Sequence, residues 1–137
     1  DGAITDTFHA LIRPPGNAYS GMNIAVHGIH PQDTVDAPTF AQLYPELRPR
    51  LQGQVLVAHN ESFDRSVLRR TMEHYALDYA ELKLTARWEC TMRIYKAKGF
   101  VPCRLNVCCA RLNIPLLHHE ALSDATGCAH LYLRHLA

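Results

Sequence analysis

Long apolar runs are missing from this 137-residue sequence. No stretch approaches the roughly 20 residues that a membrane-spanning helix needs, so no membrane association is expected. A basic, apolar leader is missing as well, since the sequence starts Asp1-Gly2-Ala3; no signal peptide is expected. An excess of one charge is missing: 14 Lys and Arg stand against 13 Asp and Glu, a net charge of +1. That excludes a broad electrostatic grip on duplex nucleic acid. A local basic path is still allowed, because 11 of the 14 basic residues are Arg, which suits phosphate. Paired cysteine spacing is missing too. Cys90, Cys103, Cys108, Cys109 and Cys128 are odd in number and form no C-x-x-C, so their spacing fits no familiar zinc site. They read as small apolar core residues of a reducing compartment, and the expected location is cytoplasmic. Nine His is a high count, and most of them are expected at or near the surface.

What is present is ordinary for a single globular domain: 47% hydrophobic and 20% charged residues, with no repeat, linker or low-complexity tract. The organising stretch is Gln54 to Asp64. Val55-Leu56-Val57-Ala58 reads as a short strand buried on both faces. Asn60 reads as the N-cap of a helix over Glu61 to Ala76. Asp64 then falls in the first turn of that helix, just beyond the carboxyl end of a strand. Open α/β sheets bind their ligands there.

Residues Ala3 to Arg13 alternate in part and read as a strand closed by Pro14-Pro15-Gly16-Asn17. Residues 16 to 30 read as an apolar loop. Pro31 to Val35 makes a helical turn, and Thr39 to Leu51 a helix kinked or broken by Pro45 and Pro49. Phe63, Val67, Leu68, Met72 and Tyr75 form the expected apolar face of the helix after Asp64. Thr85 to Thr91 reads as a short strand. Helices follow over Met92 to Lys98, Arg104 to Leu112 and about Ala121 to Leu136. Strands alternating with helices mean α/β.

The second informative stretch is His118-His119-Glu120-Ala121-Leu122-Ser123-Asp124-Ala125. Ala121, Ala125, Cys128 and Tyr132 share one face of the last helix, and their small size allows close approach to the sheet. Asp124 lies one step around from that face. A carboxylate taken from water there needs a positive partner, and a divalent cation is a natural one. Taken singly, Asp64 and Asp124 are each explained as first-turn carboxylates complementing a helix dipole. His119 alone is explained as a surface loop residue. Together, the two motifs, each with an acid at a helix start, favour a shared site.

His59-Asn60-x-x-Phe63-Asp64-x-x-x-Leu68 resembles the second motif of the DEDD exonuclease superfamily. His119-x-Ala121-x-x-Asp124-Ala125 resembles its third motif in the histidine subtype, DEDDh. Asn23 to Ile29, followed by Ala37-Pro38-Thr39-Phe40, is similar to the proofreading epsilon subunit of bacterial DNA polymerase III and its relatives. The resemblance covers nearly the whole chain in the right order. It implies a ribonuclease H-like mixed sheet flanked by helices, with residues 1–137 forming one exonuclease domain. The superfamily's first motif, Asp-x-Glu, is absent from these residues, so the expectation is a domain truncated at its N-terminus and lacking its first strands.

The resemblance implies a 3′–5′ exonuclease that uses two Mg²⁺ or Mn²⁺ ions on the 3′ end of single-stranded or frayed DNA, with RNA an alternative substrate and a DNA polymerase an implied partner. By the same resemblance Asp64 and Asp124 are metal ligands, and His119 is the general base. Asn60, Phe63 and the Val26-His27-Gly28-Ile29 segment are expected to contact substrate, with Phe63 packing beneath the site. The absent acid pair motivates a different class as alternative: a catalytically incomplete module of the same fold that binds nucleic acid or a protein. A transition-metal binder using His and Cys is a third class, unsupported by their spacing.

Overall fold

A strand needs a neighbour to take its backbone hydrogen bonds, and this decides which of the expected strands form. In the computed structural model, which describes residues 2–137, β1 (Val57–Ala58) and β2 (Glu89–Cys90) pair in parallel. Val57 lies opposite Glu89, Ala58 opposite Cys90, and the Glu89 N–H donates to the Leu56 carbonyl at 3.0 Å. These are the only strands among the described residues. The expected mixed sheet is therefore a two-stranded parallel pair in a mostly helical chain. Ala3 to Arg13 forms no strand, since no strand among the described residues runs beside it, and Ile4 and Leu11 are exposed. Part of the expected Asp1-Gly2 turn lies outside the described residues. The stretch Val55 to Ala58 is not buried on both faces either: Val55 is 67% exposed and the next three residues are half-buried.

The helices are α1 (Gly21–His27), α2 (Pro31–Thr34), α3 (Phe40–Leu51), α4 (Glu61–His74), α5 (Thr91–Ala97), α6 (Leu105–Arg111) and α7 (Ala121–Leu136). The chain divides into two compact units. One holds residues 2–9, Val55–Arg65 and Thr85–Ala137; the other holds Ala10–Gln54 and Ser66–Leu84.

In the second unit the expected loop over residues 16 to 30 contains helix α1. The Ser20 side chain accepts the Asn23 N–H at 3.1 Å, and Gly28 ends the helix at φ 69°, a conformation glycine adopts freely. Helix α3 opens on a capping box between Thr39 and Gln42 and continues through Pro45 and Pro49 without a break. Both prolines are exposed. Phe40, Tyr44, Met72 and Leu82 form this unit's core, with Leu68, Tyr75 and others around it.

The first unit is built on Tyr95, Leu105, Cys108, Cys109, Ile114, Cys128 and Leu131. Four of the five cysteines are buried as small core residues, as expected, while Cys103 is half-buried; all five are free. Helix α7 packs against α6, β1 and α5. Its buried face is Gly127, Cys128 and Leu131; the expected Ala121 and Ala125 are exposed. A Cβ on Gly127 would meet Leu116 Cδ1 at 2.8 Å and Cys109 Sγ at 3.2 Å, so glycine permits the close α6–α7 approach. The Tyr95 hydroxyl donates to the Leu131 carbonyl at 2.7 Å inside this core.

Candidate active site

Beyond β1 the chain turns through His59 and Asn60 into α4. Asn60 has φ 71°, a left-handed conformation that Asn tolerates better than most residues. Its carbonyl accepts the Phe63 N–H at 3.1 Å, while its side-chain oxygen accepts the Ser62 hydroxyl at 3.4 Å. Asn60 therefore serves the turn itself, where a helix-capping side chain was expected.

The first turn of α4 carries two acids with opposite fates. Glu61 is fully buried. Its carboxylate accepts from Arg65 Nε at 2.9 Å, Arg93 Nη1 at 3.0 Å and the Trp88 N–H at 3.2 Å. The Arg65 guanidinium foremost, then Arg93 and the Trp88 N–H, hold this carboxyl at about 2, against burial, which pushes it up. Asp64 has no such partner. Desolvation raises its pKa, and the nearby Glu61 charge adds to the rise; its own backbone N–H works against both. Asp64 is exposed all the same, and a carboxylate beside a negative neighbour favours a cation. Phe63, beside it, is 62% exposed and so does not pack beneath a site.

The α7 start is organised differently. His119 sits at φ 70° and its N–H donates to Asp124 Oδ2 at 3.1 Å. His118 Nδ1 lies 3.3 Å from Asp124 Oδ1, and the two imidazoles stack with centroids 3.8 Å apart. The ring nitrogens of His119 have no hydrogen-bond partner among the described residues. One ligand atom from each of His118, His119 and Asp124 lies within 4.8 Å of the others, a donor set of imidazole nitrogen and carboxylate oxygen.

The two helix starts face one neighbourhood. Burial and then the Asp64 charge push the Cys128 thiol up to about 11, although a hydrogen bond from Thr91 lowers it. Cys128 is one turn along α7 from Asp124. His59 is lowered by burial foremost and also by His118, against the Cys103 carbonyl that raises it. Asp64, Asp124, His118 and His119 thus belong to one unit, at the carboxyl end of β1 and the start of α7. The Val26-His27-Gly28-Ile29 segment lies in the other unit, at the end of α1, where the Ile29 N–H donates to His27 Nδ1 at 2.9 Å.

Sequence reasoning missed Glu61, His118 and His59. Glu61 had one usable signal, an Arg four residues on in the same helix. His118 reads as a solvated neighbour until the loop folds it onto Asp124. His59 is held by Thr91 and Cys103, which are 32 and 44 residues away.

The imidazoles of His118 and His119 and the Asp124 carboxylate form a donor cluster of a kind that can hold a cation. A model of the Exonuclease family, RNase_T, matches residues 1–132, and the chain belongs to this family. Membership implies a ribonuclease H-like fold and, typically, divalent metals. The chain is 29% identical over 140 residues to a DNA polymerase III PolC-type of Thermotoga petrophila, covering 98% of this chain and 10% of that protein. It is 30% identical over 136 residues to the DNA polymerase III PolC-type of Bacillus subtilis, covering 98% of this chain and 9% of the relative. The protein of the same name from Listeria innocua is 30% identical over 132 residues, 96% and 9% respectively. The chain thus spans about a tenth of the length of the curated relatives it matches. No helix among the described residues is long and apolar enough to cross a membrane.

Proposed function

We propose that residues 1–137 act as a 3′–5′ exonuclease domain that hydrolyses the 3′-terminal phosphodiester of single-stranded or frayed DNA. The carrying observation is the His118–His119–Asp124 donor cluster in the unit that also holds Asp64. Family membership and the PolC-type relatives support it. On this reading the β1–β2 pair is part of a ribonuclease H-like mixed sheet. The expected location is the cytoplasm, with a DNA polymerase as partner.

The donor set fits Mg²⁺ or Mn²⁺: Asp64 and Asp124 offer carboxylate oxygen, which hard cations prefer, and the raised Asp64 carboxyl gains from a nearby positive charge. Asp64 and Asp124 would hold two such ions, whose chemistry is to stabilise the attacking and leaving oxygens of an in-line displacement. His119, with ring nitrogens free of other partners, accepts the proton of the attacking water. Asp124 fixes the His119 backbone through the 3.1 Å bond and so positions that ring. The exposed Phe63 ring offers a sequence-tolerant stacking face for the terminal base, and Asn60 holds the turn that presents it.

A 5′-labelled oligonucleotide incubated with the natural chain containing these residues tests the reading. Expected is a metal-dependent ladder shortened from the 3′ end, abolished by Asp124→Asn. Full activity of Asp124→Asn, or no shortening with either metal, overturns it. The alternative reading is a module of the same fold that binds nucleic acid or a protein without catalysis. Retention of the oligonucleotide with no shortening would favour that alternative.

A further inference from the structure

A second cluster of metal-ligating side chains shares no residue with the first. His59, Cys103 and Cys108 bring one ring nitrogen and two sulfurs within 4.8 Å of one another. Their separations along the chain, 44 and five residues, conceal this. His59 comes from the β1 exit, Cys103 from the loop between α5 and α6, and Cys108 from the first turns of α6. Cys108 is fully buried, while His59 and Cys103 are half-buried.

We propose that His59, Cys103 and Cys108 form a site for a thiophilic divalent cation, Zn²⁺, with solvent at the fourth position. The geometry is close to what the ion needs. The two sulfurs are 3.6 Å apart. Two thiolates about 2.3 Å from a tetrahedral zinc are separated by roughly 3.8 Å. Both imidazole nitrogens now have partners. Nε2 donates to the Cys103 carbonyl at 2.9 Å, and Nδ1 meets Thr91 Oγ1 at 2.9 Å. On binding, Nε2 turns its lone pair to the ion, and the ring proton moves to Nδ1, where Thr91 Oγ1 accepts it. That is the outer hydrogen bond that metal-bound histidines need to fix their tautomer. Cys103 releases the proton it now shares with the Met92 carbonyl, 3.2 Å away, and Cys108 releases its own. Two protons leave to solvent for each ion bound. Solvent reaches the fourth position from the half-exposed side of His59 and Cys103. The bound ion ties the β1 exit to α6, and so braces the turn that carries Asn60 and Asp64.

Sulfur donors select this ion over Mg²⁺ and Mn²⁺, so the inference stands whether or not the chain degrades nucleic acid. The test uses the chain purified under reductant, stripped with a chelator and titrated with Zn²⁺, then with Co²⁺. Expected are about one Zn²⁺ per chain and a thiolate-to-cobalt charge-transfer band. Cys103→Ser and His59→Gln, each checked for folding by circular dichroism, lose both signals; Asp124→Asn keeps both. Thr91→Val keeps the band with affinity about 10- to 100-fold weaker. No stoichiometric zinc in the reduced chain, or undiminished zinc in Cys103→Ser, overturns the proposal.

Discussion

The α4 and α7 starts both carry an acid in the first turn, yet the two are held in opposite ways. At α4 the binding of side chains is concentrated on Glu61, which is buried and saturated by Arg65, Arg93 and the Trp88 N–H. Asp64, three residues on, is left with an elevated pKa and no side-chain partner among the described residues. At α7 the acid is held by its own approach loop, through the His119 N–H and His118 Nδ1. The first arrangement leaves the proposed metal-binding carboxylate outside the ion-pair network, and the second builds it into the loop. Loss of the proposed ligand at α4 should therefore cost little structurally, while at α7 the acid is coupled to the proposed general base.

The sharpest way to break this comparison is His119→Ala. It should leave the backbone contact to Asp124 in place and reduce the exonuclease rate by about 10²- to 10⁴-fold, the usual contribution of a general base. Single-turnover kinetics across pH would check it, since the base's titration should vanish from the profile. Next in size is Glu61→Ala. It removes the buried carboxylate that Arg65, Arg93 and the Trp88 N–H share, a loss of about 3–5 kcal/mol in urea unfolding. The wild-type chain should show the same group in its acid limb. Glu61 titrates near 4.5 when unfolded and at about 2 in the fold. Its folded pKa is depressed, so its stabilisation is complete above the unfolded value and is lost as pH falls from 4.5 through 2. Urea midpoints measured over that window should flatten in Glu61→Ala.

A smaller effect is expected from Phe63→Ala. Losing one stacked base costs about 1–3 kcal/mol, read as a rise in KM for oligonucleotide with the melting temperature unchanged. Weakened folding with normal KM would return Phe63 to a core role. The smallest effect belongs to His118→Ala. The His118–Asp124 contact is partly exposed, so its removal should change stability by less than about 1 kcal/mol. If His118→Ala reduces activity as much as His119→Ala does, the two imidazoles have been assigned the wrong way round.

How legible each element was depended on where its partners lay. Helix α7 was read to the residue at both ends, because its boundaries and pattern are local. Helix α1 was read as a loop although Ser20 and Gly28 bracket it, since its apolar content gave no clear face. The α4 face was misassigned: Phe63 and Val67 fit the helical spacing but are exposed, while Glu61 is buried. Periodicity assumes that the inward residue is apolar, and a carboxylate paired with two arginines defeats that assumption. The strands were over-read for a related reason. Ala3 to Arg13 and Val55 have strand-like side chains, but a strand also needs a neighbouring backbone.

The sequence by itself determined the two acid-bearing motifs, the helix starts that carry them and the cysteine-rich composition of one core, because capping, spacing and apolar content act over a few residues. Only the tertiary structure decided which acid is saturated and which is free, that His118 closes on Asp124, and that His59 meets Cys103 and Cys108. Those outcomes depend on contacts 27 to 44 residues apart at α4 and β1, and on a left-handed turn at α7. No local pattern encodes such distances; packing of the whole unit does.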